Sequence, residues 1–345
     1  MSKNEDGWRA RKTPKKWLIA SLALACVLVR CASVRSRNQV PAGGTVARAA
    51  VSLRPHHIFV VAEENTSYGS VVGNKRQMPY LNRLIAQGTL WSNYYANAHG
   101  SMLAYIETLS GQTFHCNGNN CGDSGSLTGA SLMDLMNAQG LSWKGYFDGL
   151  SRCGQLAPKS TNWILNPDSN GARNYYQRHT GFPWYAAGTA TIVHCPEGPS
   201  GWWPMSQFSR DLANQSVGQF NWITPDGTSD GHDGSPEELD AFLQKWVPPL
   251  LASGYFQPGG DGILIVWWDE AELSDKRCGG PGGHNCGGRI PMLVLGPGIK
   301  AHNRDATSAN HDSAARFIQE QLGFTPSLGK SVSVPDMRKT LSLAP

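Results

Sequence analysis

No apolar stretch of this 345-residue chain reaches the roughly 20 residues that a membrane-spanning helix needs; the run Trp17–Val29 stops at 13. No Cys-x-x-Cys pair occurs, which argues against a structural zinc site, and no internal repeat that would mark a solenoid or propeller. Beyond residue 54 an excess of positive charge is missing too. Residues 1–54 carry 11 Lys/Arg and two Asp/Glu, whereas residues 55–345 carry 19 and 24. The overall charge of +4 and the pI near 8.6 therefore come from the first 54 residues. The remainder is mildly acidic and gives no reason to expect a nucleic-acid partner.

What is present begins with an export signature. Arg9, Arg11, Lys12, Lys15 and Lys16 precede the apolar run, in the layout of a secretory leader. Residues 1–34 are read as a signal peptide or N-terminal membrane anchor, with Cys26 or Cys31 as candidates for lipid attachment. Any membrane contact is expected through this segment alone. Residues 35–55, with Pro41-Ala42-Gly43-Gly44, read as a linker. The expected location is the periplasm, the exterior, or the outer face of the cytoplasmic membrane. Six cysteines follow the leader, and the short loops Cys116/Cys121 and Cys278/Cys286 suggest local bridges, leaving Cys153/Cys195 as the third.

With 40% hydrophobic residues the 345-residue chain can bury a substantial core, expected in a single domain over residues 56–345. Runs rich in Val, Ile or aromatic residues at Ile58–Ala62, Thr89–Tyr95, Ser142–Phe147, Phe220–Thr224, Gly262–Trp268 and Ile290–Leu295 read as strands. Between them, helical spacing marks Met78–Gln87, Ser101–Leu109, Ala130–Gln139, Pro236–Ser253 and Asp312–Leu322, several closed by glycine. This alternation predicts a three-layer α/β/α sandwich with a mostly parallel sheet. Residues 149–215 lose the rhythm and are rich in Asn, Gly, Pro and aromatics, as in a loop-rich insertion or lid. Their aromatics, Trp163, Tyr175, Tyr176, Trp184, Tyr185 and Trp202 among them, line a ligand pocket or simply pack.

Chemistry is expected at the carboxyl ends of the strands. Ile58–Ala62 runs into Glu63-Glu64-Asn65 and Ile263–Trp268 into Asp269-Glu270. Hard oxygen ligands gathered there suit a divalent cation, which offsets the repulsion of like charges. His99-Gly100-Ser101 opens a helix, so Ser101 reads either as a plain N-cap or as a nucleophile beside bound phosphate. The stretch Asp226–Asp233 offers His232, flanked by Asp230 and Asp233, as a general acid, although an ordinary turn or a calcium loop has the same composition.

Glu64-Asn65-Thr66-Ser67-Tyr68, Met78-Pro79-Tyr80-Leu81-Asn82, His99-Gly100-Ser101 through Tyr105 to Ser110-Gly111, Gly231-His232-Asp233, Trp268-Asp269-Glu270 and Gly296-Pro297-Gly298 occur here in that order. Together they resemble the bacterial phosphoesterase family of acid phosphatases and phospholipases C. The resemblance covers most of residues 57–324 and is weakest between about 150 and 215. It implies an alkaline-phosphatase-like fold and a divalent cation (Mg, Mn, Ca or Zn) held by Glu64, Asn65, Asp269 and Glu270. It also implies Ser101 as nucleophile, with His232 near the leaving group and His99 beside Ser101. The histidine that the family often places before a strand is replaced by Arg289 here, which leaves His284 and His311 as candidates for the last ligand. The expected activity is an exported phosphomonoesterase working through phosphoserine on a small phosphate ester or a phospholipid. A phospholipase C-type phosphodiesterase is the alternative within the family, and a non-catalytic, metal-containing binding protein the alternative outside it.

Overall fold

The computed structural model describes residues 56–165, 174–192, 195 and 198–339. The expected leader and linker lie outside the described residues. Among these, no helix is long and apolar enough to cross a membrane.

The strands are β1 (His57–Glu63), β2 (Thr89–Tyr95), β3 (Trp143–Phe147), β4 (Ile164–Leu165), β5 (Tyr175–Tyr176), β6 (Gly201–Pro204), β7 (Phe220–Thr224), β8 (Gly262–Trp268), β9 (Arg289–Leu295) and β10 (Asn303–Asp305). Eight of them form one sheet in the order β10-β2-β9-β8-β1-β7-β3-β6, and β4 and β5 pair separately. All pairings in the large sheet are parallel except those of β9 with β2 and β8. Parallel strands covered on both faces need side chains that are apolar in both directions, and β8 is buried at every residue.

The helices are α1 (Tyr68–Val71), α2 (Pro79–Ile85), α3 (Ser101–Ser110), α4 (Leu132–Ala138), α5 (Ala186–Thr191), α6 (Met205–Ala213), α7 (Pro236–Leu251) and α8 (His311–Gln321). Ring contacts assign the layers. Trp267 of β8 meets Tyr105 of α3 and His311 of α8 on one face. On the other, Phe59 of β1 meets Tyr255 and Phe256 just after α7, and Tyr146 of β3 meets Phe208 of α6. The sandwich is therefore three-layered, with β1 and β8 side by side at its centre.

Residues 149–215 differ from a mobile lid. Their last part builds β6, which pairs in parallel with β3, and α6, which packs behind it. Trp202 is fully buried in β6, and Trp184, Tyr175 and Tyr185 are buried too, so these aromatics are core rather than pocket lining. A four-residue strand flanked by glycine and proline carries too little periodicity to be read from the chain. The bridges Cys116–Cys121, Cys153–Cys195 and Cys278–Cys286 all form, the second pinning the insertion across 42 residues.

Candidate active site

β1 and β8 run parallel with Glu63 opposite Trp268, so both chains leave the sheet at one level. Backbone and side chain then tie the two ends together. Asp269 N donates to Glu63 O, and Asn65 N donates to Asp269 Oδ1 at 3.1 Å. Ser67 donates from N and Oγ to Glu272. Asn65 turns the chain at φ +42°, a left-handed conformation that asparagine tolerates. Strand alternation separates the adjacent glutamates: Glu63 shares the face of Phe59 and Val61, and its buried oxygens have no hydrogen-bond partner. Glu64 faces the site. Its Oε2 accepts from Ser101 Oγ at 2.9 Å and its Oε1 from Tyr105 OH at 2.9 Å.

Ser101 is the first residue of α3, and Gly100, not Ser101, is the N-cap. Gly100 sits at φ +125°, and a Cβ there would lie 2.3 Å from Gly118 Cα, so only glycine admits this approach. The expected cradle of free amides at this helix end is largely absent. Met102 N donates to Asn119 Oδ1 and Leu103 N to Gly118 O, both from the loop closed by Cys116–Cys121. What the helix start offers is the Ser101 hydroxyl and the axial dipole.

The remaining candidates divide. Glu270 accepts from Gly100 N at 3.0 Å and pairs with His99 Nδ1 at 2.5 Å, while His99 Nε2 meets Asp275 O at 3.2 Å. His99 and Glu270 thus clamp the turn that delivers Ser101. His311 is fully buried with both ring nitrogens engaged. Its Nε2 donates to Asp269 O at 2.6 Å, and its Nδ1 accepts from Tyr94 OH and Trp267 Nε1. Burial holds it down at about 4, so the ring is neutral and supports Asp269 from below rather than offering a lone pair. His284 is exposed in the Cys278–Cys286 loop, and its side chain makes no hydrogen bond to the cluster. Neither histidine is carried forward as a ligand.

On the opposite side, His232 Nδ1 bonds Asp233 Oδ1 at 2.8 Å. Of the two flanking acids Asp233 orients the ring, because Asp230 turns inward to His179 Nδ1 at 2.7 Å and to the backbone of His232. His179 went unnoticed in the sequence. It comes from the insertion, is 1% exposed, stands 3.7 Å from Glu64 Oε1, and is stacked between Tyr105 and Tyr176. A histidine among aromatics carries no spacing signal, and only Tyr-Tyr-Gln-Arg-His, polar amid large rings, marked it.

Electrostatics explains what this assembly requires. Burial, then repulsion by Asp269 and Asp230, holds the Glu64 carboxyl well above its ordinary range. Asp269 is pushed up to about 8 by burial and by Glu270. Asp230 and Glu63 are raised by burial as well, and burial drives His179 down. Among the described residues no Lys or Arg is bonded to Glu64, Asn65, Ser101 or Asp269, and no three His, Cys, Asp or Glu form a ready cation cage. The available donors are mixed instead, with two carboxylates, one amide and one hydroxyl. Asn65 Oδ1 and Asp269 Oδ2 are buried without any partner. Orphaned hard oxygens amid carboxylates that resist ionisation fit a hard divalent cation. Beside Asn65 opens a polar cleft of about 410 Å3, lined by Thr66, Ser70, Asn74, Gln77 and Glu272 and by no aromatic ring.

In fold the sandwich is similar to solved structures of the alkaline phosphatase superfamily. A member of that superfamily from Vibrio parahaemolyticus superposes with a TM-score of 0.51 over 83% of this chain and 70% of its own, at 13% identity. The lipoteichoic acid synthase LtaP from Listeria monocytogenes superposes with a TM-score of 0.54 over 86% and 79%, at 10% identity. The chain belongs to the phosphoesterase family, whose model matches residues 74–325. It is similar to the phosphatidylinositol-3-phosphatase of Mycobacterium tuberculosis, 24% identical over 95% of this chain and 96% of that one. An acid phosphatase of Aspergillus fumigatus is 23% identical over 90% of this chain and 67% of its own length. The chain is a phosphoric ester hydrolase, and its substrate a phosphate ester.

Proposed function

We propose that this hydrolase is an exported phosphomonoesterase in which Ser101 is the nucleophile and Glu64, Asn65 and Asp269 hold a divalent cation. The observation that carries the reading is the Ser101 hydroxyl, presented at the start of α3, bonded to Glu64 and bordered by unpartnered oxygens of Asn65 and Asp269. A bound cation supplies the positive charge that a phosphate dianion needs in a site bordered by buried carboxylates. Glu270 and His99 hold the turn, and His311 holds the Asp269 backbone.

Ser101 Oγ attacks phosphorus and loses its proton to water, its hydroxyl being oriented beforehand by Glu64 Oε2. The bond from phosphorus to the leaving oxygen breaks as His232 Nε2 gives that oxygen a proton, Asp233 steadying the ring through Nδ1. Water then releases phosphate from Ser101. The names of these relatives, both phosphatases, support the monoester reading over the diester one, and the name of the mycobacterial relative extends the substrate class to phosphorylated lipid headgroups. Three disulfides suit an oxidising compartment and support export.

The test compares p-nitrophenyl phosphate with its choline diester, with and without chelator. Monoester turnover should vanish in Ser101→Ala while the fold is retained. It should also be lost to chelator and return with added divalent cation. Undiminished turnover by Ser101→Ala would refute the nucleophile, and faster diester than monoester hydrolysis would replace the phosphatase by a phosphodiesterase.

A further inference from the structure

The pair formed by His232 and Asp233 is poorly suited to act alone. Their side chains are 29% and 30% exposed, and an ion pair so open to water is weakly held. Asp233 has a second partner. Its Oδ2 accepts from Tyr176 OH at 2.5 Å, while its Oδ1 meets His232 Nδ1 at 2.8 Å. Tyr176 is itself buried and comes from β5 of the insertion. Its ring lies 4.7 Å from His179 at 10° and 5.2 Å from His232, and the rings of His179 and His232 are 4.9 Å apart. Burial and the Asp233 carboxylate hold the phenol up at about 12, so it keeps its proton and donates.

The backbone is shaped around this contact. Gly227 lies where a Cβ would fall 2.1 Å from a ring carbon of Tyr176 and 3.1 Å from Asp233 Oδ2. The same glycine accepts from Asp233 N at 2.8 Å and donates to Asn174 O at 3.1 Å, joining the histidine loop to the strand that carries Tyr176. A hydroxyl, a stacked ring and a bare backbone position therefore converge on one carboxylate.

We propose that Tyr176 is a positioning residue for the reaction, fixing Asp233 so that the His232 ring is held with Nε2 facing the leaving oxygen. The proposal rests on the reading of His232 as general acid. Proton transfer goes from Nε2 to the leaving oxygen, which keeps the electron pair of its broken bond to phosphorus. Tyr176 exchanges no proton; it removes the rotational freedom of the two side chains that do the work.

Leaving groups separate this role from mere packing. p-Nitrophenolate departs readily without protonation, whereas an alkoxide such as that of glycerol 2-phosphate does not. Tyr176→Phe keeps the ring and removes only the hydroxyl. In the full-length enzyme with its bound cation, it should lower kcat on the alkyl ester about tenfold more than on the aryl ester, a fraction of what general acids contribute, with KM unchanged. His232→Gln should show the same selectivity more strongly, and adding Tyr176→Phe to it should change nothing further. Equal losses on both esters, or an undiminished effect of Tyr176→Phe in the His232→Gln background, would overturn the positioning role. If His232→Gln is selective and Tyr176→Phe is not, only the role of Tyr176 fails. If His232→Gln itself shows no selectivity, the general acid fails and this inference with it.

Discussion

Replacing Glu107 by Gln should flatten the pH dependence of folding stability. Glu107 lies within α3, is 3% exposed, and leaves its Oε2 without a hydrogen-bond partner. Burial, then the charge of Asp312 on α8, raises its carboxyl from 4.5 to about 7, against smaller opposing effects of Lys330 and Asn97. A carboxyl that ionises less readily in the folded chain than in the unfolded one favours the fold while it is protonated. That stability is complete below the unfolded value of 4.5 and is lost as pH rises through about 7. At about 1.4 kcal/mol per pKa unit the full loss is about 3 kcal/mol, of which about 2 kcal/mol falls between pH 5.5 and 8. Urea unfolding at these two pH values reads it directly. The wild type should lose about 2 kcal/mol more than Glu107→Gln, since comparison in matched buffers cancels the other carboxylates. Equal losses in the two proteins would show that the Glu107 carboxyl is solvated or paired, and the account of α3 packing against α8 would be wrong.

Asp269→Asn keeps the shape of the cluster but removes a carboxylate whose Oδ2 has no protein partner. Calorimetric titration with Mn²⁺ should show at least about tenfold weaker binding than wild type, and an unchanged affinity would remove Asp269 from the cation's ligands. Opening the insertion by Cys153→Ser with Cys195→Ser releases a bridge across 42 residues, for which chain entropy gives about 4 kcal/mol. Denaturant unfolding that detects less than about 1 kcal/mol would mean that packing by Trp184 and Tyr185, rather than the bridge, secures the segment.

The sheet was legible wherever a strand is buried on both faces. Phe220–Thr224 and Gly262–Trp268 occupy the bounds their Val, Ile and aromatic content predicted. Direction is not written in such runs, so the antiparallel course of β9 could not be seen, and β10, Asn-Arg-Asp, has no apolar residue to announce it. Within the site, Glu64, Asn65, Ser101 and Asp269 stand at strand ends and a helix start, where polar residues interrupt apolar runs and so can be found. Roles that depend on pairing were hidden. His311 was visible as a histidine before a helix, yet whether it ligates or supports turns on what its two nitrogens touch. His179 reaches Asp230 across a sequence separation of 51, and no local pattern encodes that meeting.

These long-range meetings give the insertion its place in the chemistry. Tyr105 donates to Glu64 beside Ser101, His179 stacks between Tyr105 and Tyr176, and Tyr176 donates to Asp233 beside His232. The two halves of the site are thus joined through rings supplied by residues 175–179, and not through the sheet alone. The Tyr176 and His179 rings, with centroids 4.7 Å apart, shift together, because a close-packed interior has no slack to absorb the displacement of one. A change that moves β5 therefore disturbs the bond of His179 to Asp230 and that of Tyr176 to Asp233 at once. The segment lies within the span closed by Cys153–Cys195, and the chain beyond that bridge is anchored through β6 to β3, so residues 175–179 are tied to the sheet from both sides.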